Sequence, residues 1–148
     1  MQIRFMTEND IPQTFELMKE LAIFEKYIDS FAITPDIVKQ RAIDNRDFYC
    51  LVADDNGVIA GVLVYYFLPY TAQNRPNIYM KELYVAEPYR NQKVGEKLML
   101  ELKKQAKENN CPVIKWTVAP FNESGMRFYE RLGAVQNTDW VNYEMVVE

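Results

Sequence analysis

The sequence predicts a mixed α/β (α+β) fold in which a mostly antiparallel central sheet carries helices on both faces. The dipeptide Asn56-Gly57 joins two apolar segments, as expected for an antiparallel hairpin, since both residues tolerate the positive φ of a tight turn. An amphipathic segment at residues 94–107 lies between two strand-like segments, which such a crossover places parallel. The 148 residues suit a single domain, 1–148, with the order β-α-α-β-β-β-α-β-α-β.

Local signals predict each element in turn. Capping oxygens at residues 7–10 precede a helical apolar periodicity, and Thr34-Pro35 supplies a cap followed by proline at the first helical position. Two prolines indicate a loop at residues 68–77, and Gly133 is predicted to end the last helix. The predicted strands are 1–6, 48–53, 58–67, 78–85, 113–118 and 140–147, and the predicted helices are 11–25, 35–42, 94–107 and 123–132.

Composition excludes several classes of function. The net charge is −4, which argues against binding nucleic acid, because phosphates are met by a basic surface. The longest apolar run, residues 58–68, is interrupted by Gly61 and is too short to cross a membrane, and the N-terminus lacks a signal-like apolar segment. We therefore expect a cytoplasmic protein without a membrane contact, in which Cys50 and Cys111 are buried thiols.

Histidine is absent from the chain. Its absence removes Ser-His-Asp and Cys-His nucleophilic sites, a histidine general base and most zinc sites, so no metal is expected. Proton transfer near neutral pH must then use a carboxylate, a tyrosine, a lysine, a cysteine or water.

The segment 86–95 links a predicted strand to the amphipathic helix. A loop that enters a helix N-terminus exposes free N–H groups at the positive end of the helix dipole, which is a common place for a phosphate. Arg90 and Lys93 add positive charge, and Gly95 allows the backbone to approach a ligand closely. The alternative is an ordinary strand-to-helix loop with solvated basic residues.

Three motifs resemble those of the GNAT acetyltransferases. Arg90-x-x-Lys93-x-Gly95 is similar to the pyrophosphate loop of that superfamily, Glu82-Leu83-Tyr84-Val85 to the strand before it, and Asn122-Glu123 with Phe128-Tyr129 and Gly133-Ala134 to its last motif. The resemblance covers essentially the whole chain and is strongest to the spermidine/spermine (diamine) N-acetyltransferases. It implies a GNAT fold, transfer of an acetyl group from acetyl-CoA to a primary amine, and a homodimer.

The resemblance also implies which residues hold acetyl-CoA. Strand backbone would bind the pantetheine arm and the acetyl carbonyl, the loop would bind the pyrophosphate, and the start of the last helix would line the far side. Lys93 departs from the family, which has glycine there; we expect lysine to be tolerated if φ is negative and to weaken binding otherwise. The implied cofactor-binding residues are Leu83, Tyr84, Val85, Arg90, Asn91, Gln92, Lys93, Val94, Gly95, Glu96, Asn122 and Ser124.

By the same resemblance, Tyr129 is the general acid that protonates the leaving thiolate. The alternative role of Tyr129 is structural, as an aromatic residue of the helix that packs beside Phe128. The family's acid facing the amine aligns with Lys81, and neighbouring strand residues point to opposite faces. Glu82 is therefore not a direct replacement, and we expect it to act as the base through water, with direct loss of the amine proton to solvent as the alternative.

The predicted acceptor pocket contains Phe24, Glu25, Lys81 and Trp140. Glu25 matches a family acid, although a solvated charge at a helix end explains it equally well, and the two aromatic residues could be plain core. The expected acceptor is a small amine (a polyamine, a diamine or a lysine-like amino acid), although Lys81 would repel a polyamine. The alternatives are a peptide or protein acceptor, or a non-catalytic acetyl-CoA-binding module.

Overall fold

The computed structural model describes all 148 residues and divides them into two compact units, residues 1–117 and 118–148. The first unit contains a five-stranded sheet in the order β1-β2-β3-β4-β5. The prediction of a single domain stays a prediction. The elements of the first unit are β1 (Gln2–Phe5), α1 (Ile11–Phe24), α2 (Pro35–Val38), β2 (Tyr49–Asp55), β3 (Val58–Leu68), β4 (Asn77–Val85), α3 (Val94–Glu108) and β5 (Ile114–Lys115), and the second unit contains α4 (Glu123–Arg131).

Pairing within the sheet confirms the predicted fold class. Strands β1 to β4 pair antiparallel with one another, and β5 pairs parallel with β4. The turn between β2 and β3 has positive φ at Asn56 (51°) and Gly57 (95°), as the sequence predicts. Short 3₁₀ turns occur at Glu8–Asp10, Ile28–Ser30 and Glu87–Tyr89, and α2 continues as a π-helical segment, Lys39–Asp44.

The helices cover both faces of the sheet. Val62 of β3 belongs to the buried cluster that includes Met18 of α1. At the preceding residue, Gly61, an added Cβ would lie 3.1 Å from the side chains of Val94 and Leu98 in α3. Because neighbouring strand residues point to opposite faces, α1 and α3 pack on opposite sides. A side chain at Gly61 would push α3 away from the sheet.

A charged cluster joins the start of the chain to the β2–β3 hairpin. The Arg4 guanidinium donates to both carboxylate oxygens of Asp10, at 2.7 and 2.9 Å, and to Asp54 at 3.0 Å. Asp10 also accepts from the Thr7 backbone N–H, and Asp54 accepts from the Gly57 N–H, both at 2.7 Å. The Arg4 side chain lowers the pKa of Asp10 to about 2, against the opposing effect of burial.

Replacing Asp10 with Asn should lower the free energy of unfolding by about 1–3 kcal/mol at pH 7, because a charge-assisted bidentate contact is lost. The Asp10 carboxylate is stabilised by folding, so its contribution is present above the ordinary aspartate pKa and lost as pH falls towards 2. Urea unfolding at pH 7 and at pH 2.5 measures both values. The difference in the free energy of unfolding between Asp10→Asn and the wild type should shrink at low pH. The control Asp29→Asn, which replaces an exposed acid, should have the same free energy of unfolding as the wild type at both pH values.

The prediction of a strand at residues 140–147 is wrong, and the strand predicted at 113–118 is reduced to Ile114–Lys115. The segment 140–147 pairs with no strand, and its apolar side chains, such as Tyr143 and Val147, are 78–95% exposed. Strand propensity reflects packing on a half-buried sheet surface, so an apolar run without such a surface does not form a strand.

Candidate active site

Strand β4 separates from its neighbour β5 after two residue pairs. Ile78 pairs with Ile114 and Tyr79 with Lys115, whereas β4 continues to Val85. Backbone groups of β4 beyond Tyr79 that face away from β3 therefore have no strand partner. Leu83, Tyr84 and Val85, to which the family resemblance gives a role in cofactor binding, lie in this open part of the strand. An extended ligand with amide groups can supply the missing backbone partners.

The loop after β4 is braced by Arg90. Its guanidinium donates to the Val85 carbonyl at 3.1 Å and to the Tyr84 hydroxyl at 3.0 Å, and it lies 5.4 Å from the centroid of the Tyr84 ring. The side-chain amide of Gln92 donates to the Pro88 carbonyl at 3.0 Å. These contacts fix the loop that leads into α3. Asn91 in this loop has a positive φ of 62°.

The N-terminus of α3 is open to a ligand. No side chain caps it, so the first N–H groups of the helix, at Val94, Gly95 and Glu96, have no side-chain acceptor at the cap. The cap residue, Lys93, has φ 62° and ψ 20°, which is the left-handed region that glycine adopts without strain. The sequence motif alone did not decide between the two signs of φ at this position.

Replacing Lys93 with Gly should raise the free energy of unfolding by about 0.5–1 kcal/mol, because the left-handed conformation strains a residue with a Cβ. Chemical denaturation measures the change. The control is Lys104→Gly in the middle of α3, which should lower the free energy of unfolding by about 1 kcal/mol, since glycine is a poor helix former. A loss of stability at both positions would contradict strain at Lys93.

A β-bulge in β4 brings Lys81 and Glu82 to one cavity. Val64 of β3 is opposite Glu82 and Tyr65 is opposite Met80, so Lys81 has no opposite residue. Both Lys81 and Glu82 line a cavity of about 120 Å³ on the α1 side of the sheet. The expectation that these two side chains point to opposite faces is therefore wrong, because the bulge interrupts the alternation on which it rests.

The Glu82 carboxyl group is buried and incompletely paired. Its Oε2 atom has no hydrogen-bond partner. Burial raises the pKa of Glu82 to about 7; the positive charge of Lys81 opposes this shift, and the negative charge of Glu25 adds to it. A carboxyl group with a pKa near neutral pH is suited to accept a proton from a substrate.

Two further ionisable residues act on the same region. Burial raises the pKa of Glu25, at the end of α1, and the charge of Lys81 opposes the rise. Tyr27 was not predicted as a site residue. Burial is the largest cause of its raised pKa, and the negative charges of Glu82 and Glu25 add to the rise. The structure thus places Glu25, Lys81 and Glu82 within electrostatic reach of one another. Phe24, beside Glu25, is 48% exposed.

The remaining cavity wall was also missed by the sequence analysis. No local motif marks these residues, since they come from α1, the α1–α2 connection, the segment before β2, and β3. Periodicity identified some of them only as core. The additional lining residues are Met18, Ile33, Phe48, Val64 and Tyr66.

The second unit contains the other predicted site residues. Asn122 caps α4, because its Oδ1 accepts from the Gly125 N–H at 3.0 Å and from the Ser124 hydroxyl at 3.3 Å. Tyr129 is half-buried in α4, and its ring packs edge-to-face against Phe128 at 5.2 Å. Trp140 is 82% exposed and lies outside any helix or strand.

Comparison with known proteins connects this geometry to a family. The acetyltransferase (GNAT) family model matches residues 12–134. A thialysine N-epsilon-acetyltransferase of Bos taurus is 30% identical over 93% of this chain and 85% of its own length. A spermidine/spermine N(1)-acetyltransferase-like protein of Homo sapiens is 28% identical over 90% of this chain and 20% of its own.

A solved structure shares the fold. An aminoglycoside acetyltransferase from an uncultured soil metagenomic sample superimposes with a TM-score of 0.82 at 20% identity, covering 99% of this chain and 96% of that one. The sequence relatives confirm the likeness to diamine acetyltransferases that the motifs indicate. The family model and these relatives cover most of the chain, and the chain therefore belongs to the GNAT family of acetyltransferases.

Proposed function

We propose that this protein transfers the acetyl group of acetyl-CoA to a primary amine of a small molecule such as a polyamine, a diamine or a lysine-like amino acid. The observation that carries the proposal is Glu82, a buried carboxyl group with an unpartnered oxygen and a pKa raised to about 7, in an otherwise largely apolar cavity beside the open part of β4. The names of the thialysine and polyamine relatives support an amine acceptor.

The residues of the first unit fit acetyl-CoA. Open backbone at Leu83 to Val85 suits the amides of the pantetheine arm, and the uncapped start of α3 suits the pyrophosphate. Arg90 fixes the loop through its hydrogen bonds to the Val85 carbonyl and the Tyr84 hydroxyl. The positive φ of Lys93 is the case in which we expect weaker, though not abolished, cofactor binding. Asn122 and Ser124 are proposed cofactor-binding residues, as the family resemblance implies.

Acetyl-CoA supplies an activated acetyl group as a thioester. The amine nitrogen must be neutral to react, and the Glu82 carboxylate accepts its proton, directly or through water. A carbon–nitrogen bond forms at the acetyl carbonyl carbon while the carbon–sulfur bond breaks. The Tyr129 hydroxyl donates its proton to the departing sulfur. As the new carbon–nitrogen bond forms, the nitrogen loses a second proton, which restores the Tyr129 phenol, and Glu82 releases the first proton to solvent. The net products are the N-acetylated amine, free CoA and one proton.

The lining of the cavity favours a small acceptor over a folded protein surface. Five of its seven lining residues are apolar or aromatic. Such a wall suits the alkyl chain of a small amine better than a peptide backbone, whose polar groups it would leave without partners. Phe24 and Trp140 are proposed acceptor-binding residues, a role suggested by the family resemblance alone.

A homodimer, which the family resemblance supports, and a cytoplasmic location are also proposed. None of the helices combines the length and the apolar composition needed to span a bilayer. The prediction that the reaction requires no metal remains a prediction.

The decisive experiment measures release of free CoA from acetyl-CoA with a panel of amines: spermidine, spermine, putrescine, thialysine, lysine and a peptide with a free N-terminus. Turnover confined to small amines is expected. Turnover of the peptide alone would replace the small-molecule proposal with peptide acetylation. Binding of acetyl-CoA without turnover of any amine would favour a binding module, and failure to bind acetyl-CoA would overturn the proposal.

A further inference from the structure

The acceptor cavity holds two opposite charges at different depths. Glu82 is partly buried and its Oε2 atom is inaccessible to solvent, whereas the Lys81 side chain is exposed at the rim. Lys81 takes part in none of the ion pairs of the protein. Apolar and aromatic side chains form the rest of the wall. A ligand that fills this cavity therefore meets a proton acceptor inside and an unpaired ammonium group at the entrance.

We infer that Lys81 is a specificity-determining residue that favours acceptors carrying a carboxylate at the end remote from the reacting amine. This inference rests on the proposed function and deepens it. With the reacting amine at Glu82, the far end of a linear acceptor lies near the rim. A carboxylate there pairs with Lys81, whereas the second ammonium group of a diamine is repelled by it.

A nearby acid, Glu25, adds to the discrimination between diamino acids and diamines. Glu25 does not line the cavity, but it lies within electrostatic reach of Lys81, so an acceptor that reaches Lys81 also meets a negative charge nearby. A diamino acid carries both an α-ammonium and an α-carboxylate group and satisfies both partners at once. A diamine satisfies only Glu25 and faces Lys81 unpaired. The bulge is essential to this arrangement, because in a regular strand Lys81 would point to the opposite face from Glu82.

A different explanation is that Lys81 only adjusts the proton affinity of Glu82. In that case a change at Lys81 would alter the rates with all amines by the same factor, because the same base serves each of them. The ratio of kcat/KM between two acceptors that differ only in the carboxylate is unaffected by such an adjustment. This ratio therefore separates recognition from electrostatic tuning.

The test uses matched acceptor pairs with the full-length protein: lysine against cadaverine, and ornithine against putrescine. The wild type should favour the carboxylate member of each pair by at least about tenfold in kcat/KM, mainly through KM. Lys81→Glu should reverse the preference, and Lys81→Gln should bring the ratio close to one. Lys97→Glu, an exposed charge reversal on α3, should leave the ratio unchanged.

Equal ratios in the wild type and Lys81→Glu, or a wild-type preference for the diamines, would overturn the inference while leaving the acetyltransferase proposal intact. Absence of turnover with every amine would instead overturn the proposed function. Calorimetric titration of lysine and cadaverine in the presence of CoA then tests Lys81 by itself: tighter binding of lysine, lost in Lys81→Glu, supports the inference, and equal affinities refute it.

Discussion

Replacing Glu82 with Gln is expected to lower kcat/KM for the amine by roughly 100- to 1000-fold, since a positioned general base contributes about this much. Glutamine keeps the shape of the side chain in the cavity but cannot accept the proton. The KM for acetyl-CoA should change little, because the proposed cofactor contacts lie along Leu83 to Val85 and at the start of α3. A CoA-release assay with saturating acetyl-CoA measures the loss.

The pH dependence distinguishes a base from a group that only shapes the cavity. In the wild type, kcat/KM should rise with pH through a midpoint near 7, the value to which burial raises the pKa of Glu82. Glu82→Gln should lack this rise, and any remaining increase should come from deprotonation of the amine at higher pH. A variant that keeps the same rise near pH 7 would show that another group is the base.

The same carboxyl group should make the stability of the wild type fall with pH, whereas it makes the activity rise. A carboxyl group whose pKa is raised by folding binds more protons in the folded state, so stability is fully present below its ordinary pKa and falls as pH rises. For a pKa that moves from 4.5 to about 7, the wild type should lose up to about 3 kcal/mol between pH 4 and pH 8. Glu82→Gln should lack this component of the slope.

The matched control is Glu108→Gln, an exposed acid at the end of α3, which should preserve both the activity and the pH slope of stability. Chemical denaturation at pH 5 and at pH 8 provides the comparison. An inactive Glu82→Gln protein that is as stable as the wild type at pH 8 would assign the loss to chemistry. An inactive protein that unfolds readily at both pH values would contradict that assignment.

The sheet was predictable because its signals are local. Asn56-Gly57 specifies a turn by its backbone conformation, and the four-residue spacing of apolar side chains in α3 specifies the helix that makes β5 parallel to β4. The strand predicted at residues 140–147 was wrong because strand formation there depends on packing, which is not a local signal. An apolar run becomes a strand only where a neighbouring strand and a buried surface receive it, and no residue type in the run carries that information.

The site was only partly predictable, for a related reason. The motif around Arg90 and Gly95 identified the loop, but the sign of φ at Lys93 depends on how the loop closes. The bulge at Lys81 is a property of the pairing between two strands, so a rule based on strict alternation misplaced its side chain. Tyr27 was missed because its burial depends on how the end of α1 packs, which periodicity does not describe.

Replacing Tyr129 with Phe is expected to lower kcat by about 100-fold, because loss of the phenolic proton leaves the departing sulfur as an unprotonated thiolate. The substitution removes one oxygen atom and keeps the ring that packs against Phe128. The Asn122 cap and the Gly133 end of α4 do not involve the Tyr129 side chain, so α4 should remain folded in the variant. The KM values should also change little, since the proton is needed only as the carbon–sulfur bond breaks.

A second variant separates the hydroxyl from the ring. Tyr129→Leu removes both, so a purely structural residue would give an active Phe variant and an impaired Leu variant, whereas a general acid makes both inactive. Tyr143→Phe is the control for loss of a tyrosine hydroxyl in the same unit, because Tyr143 is 95% exposed. Full kcat in Tyr129→Phe would exclude the hydroxyl as the acid, and solvent would then be the proton donor to sulfur.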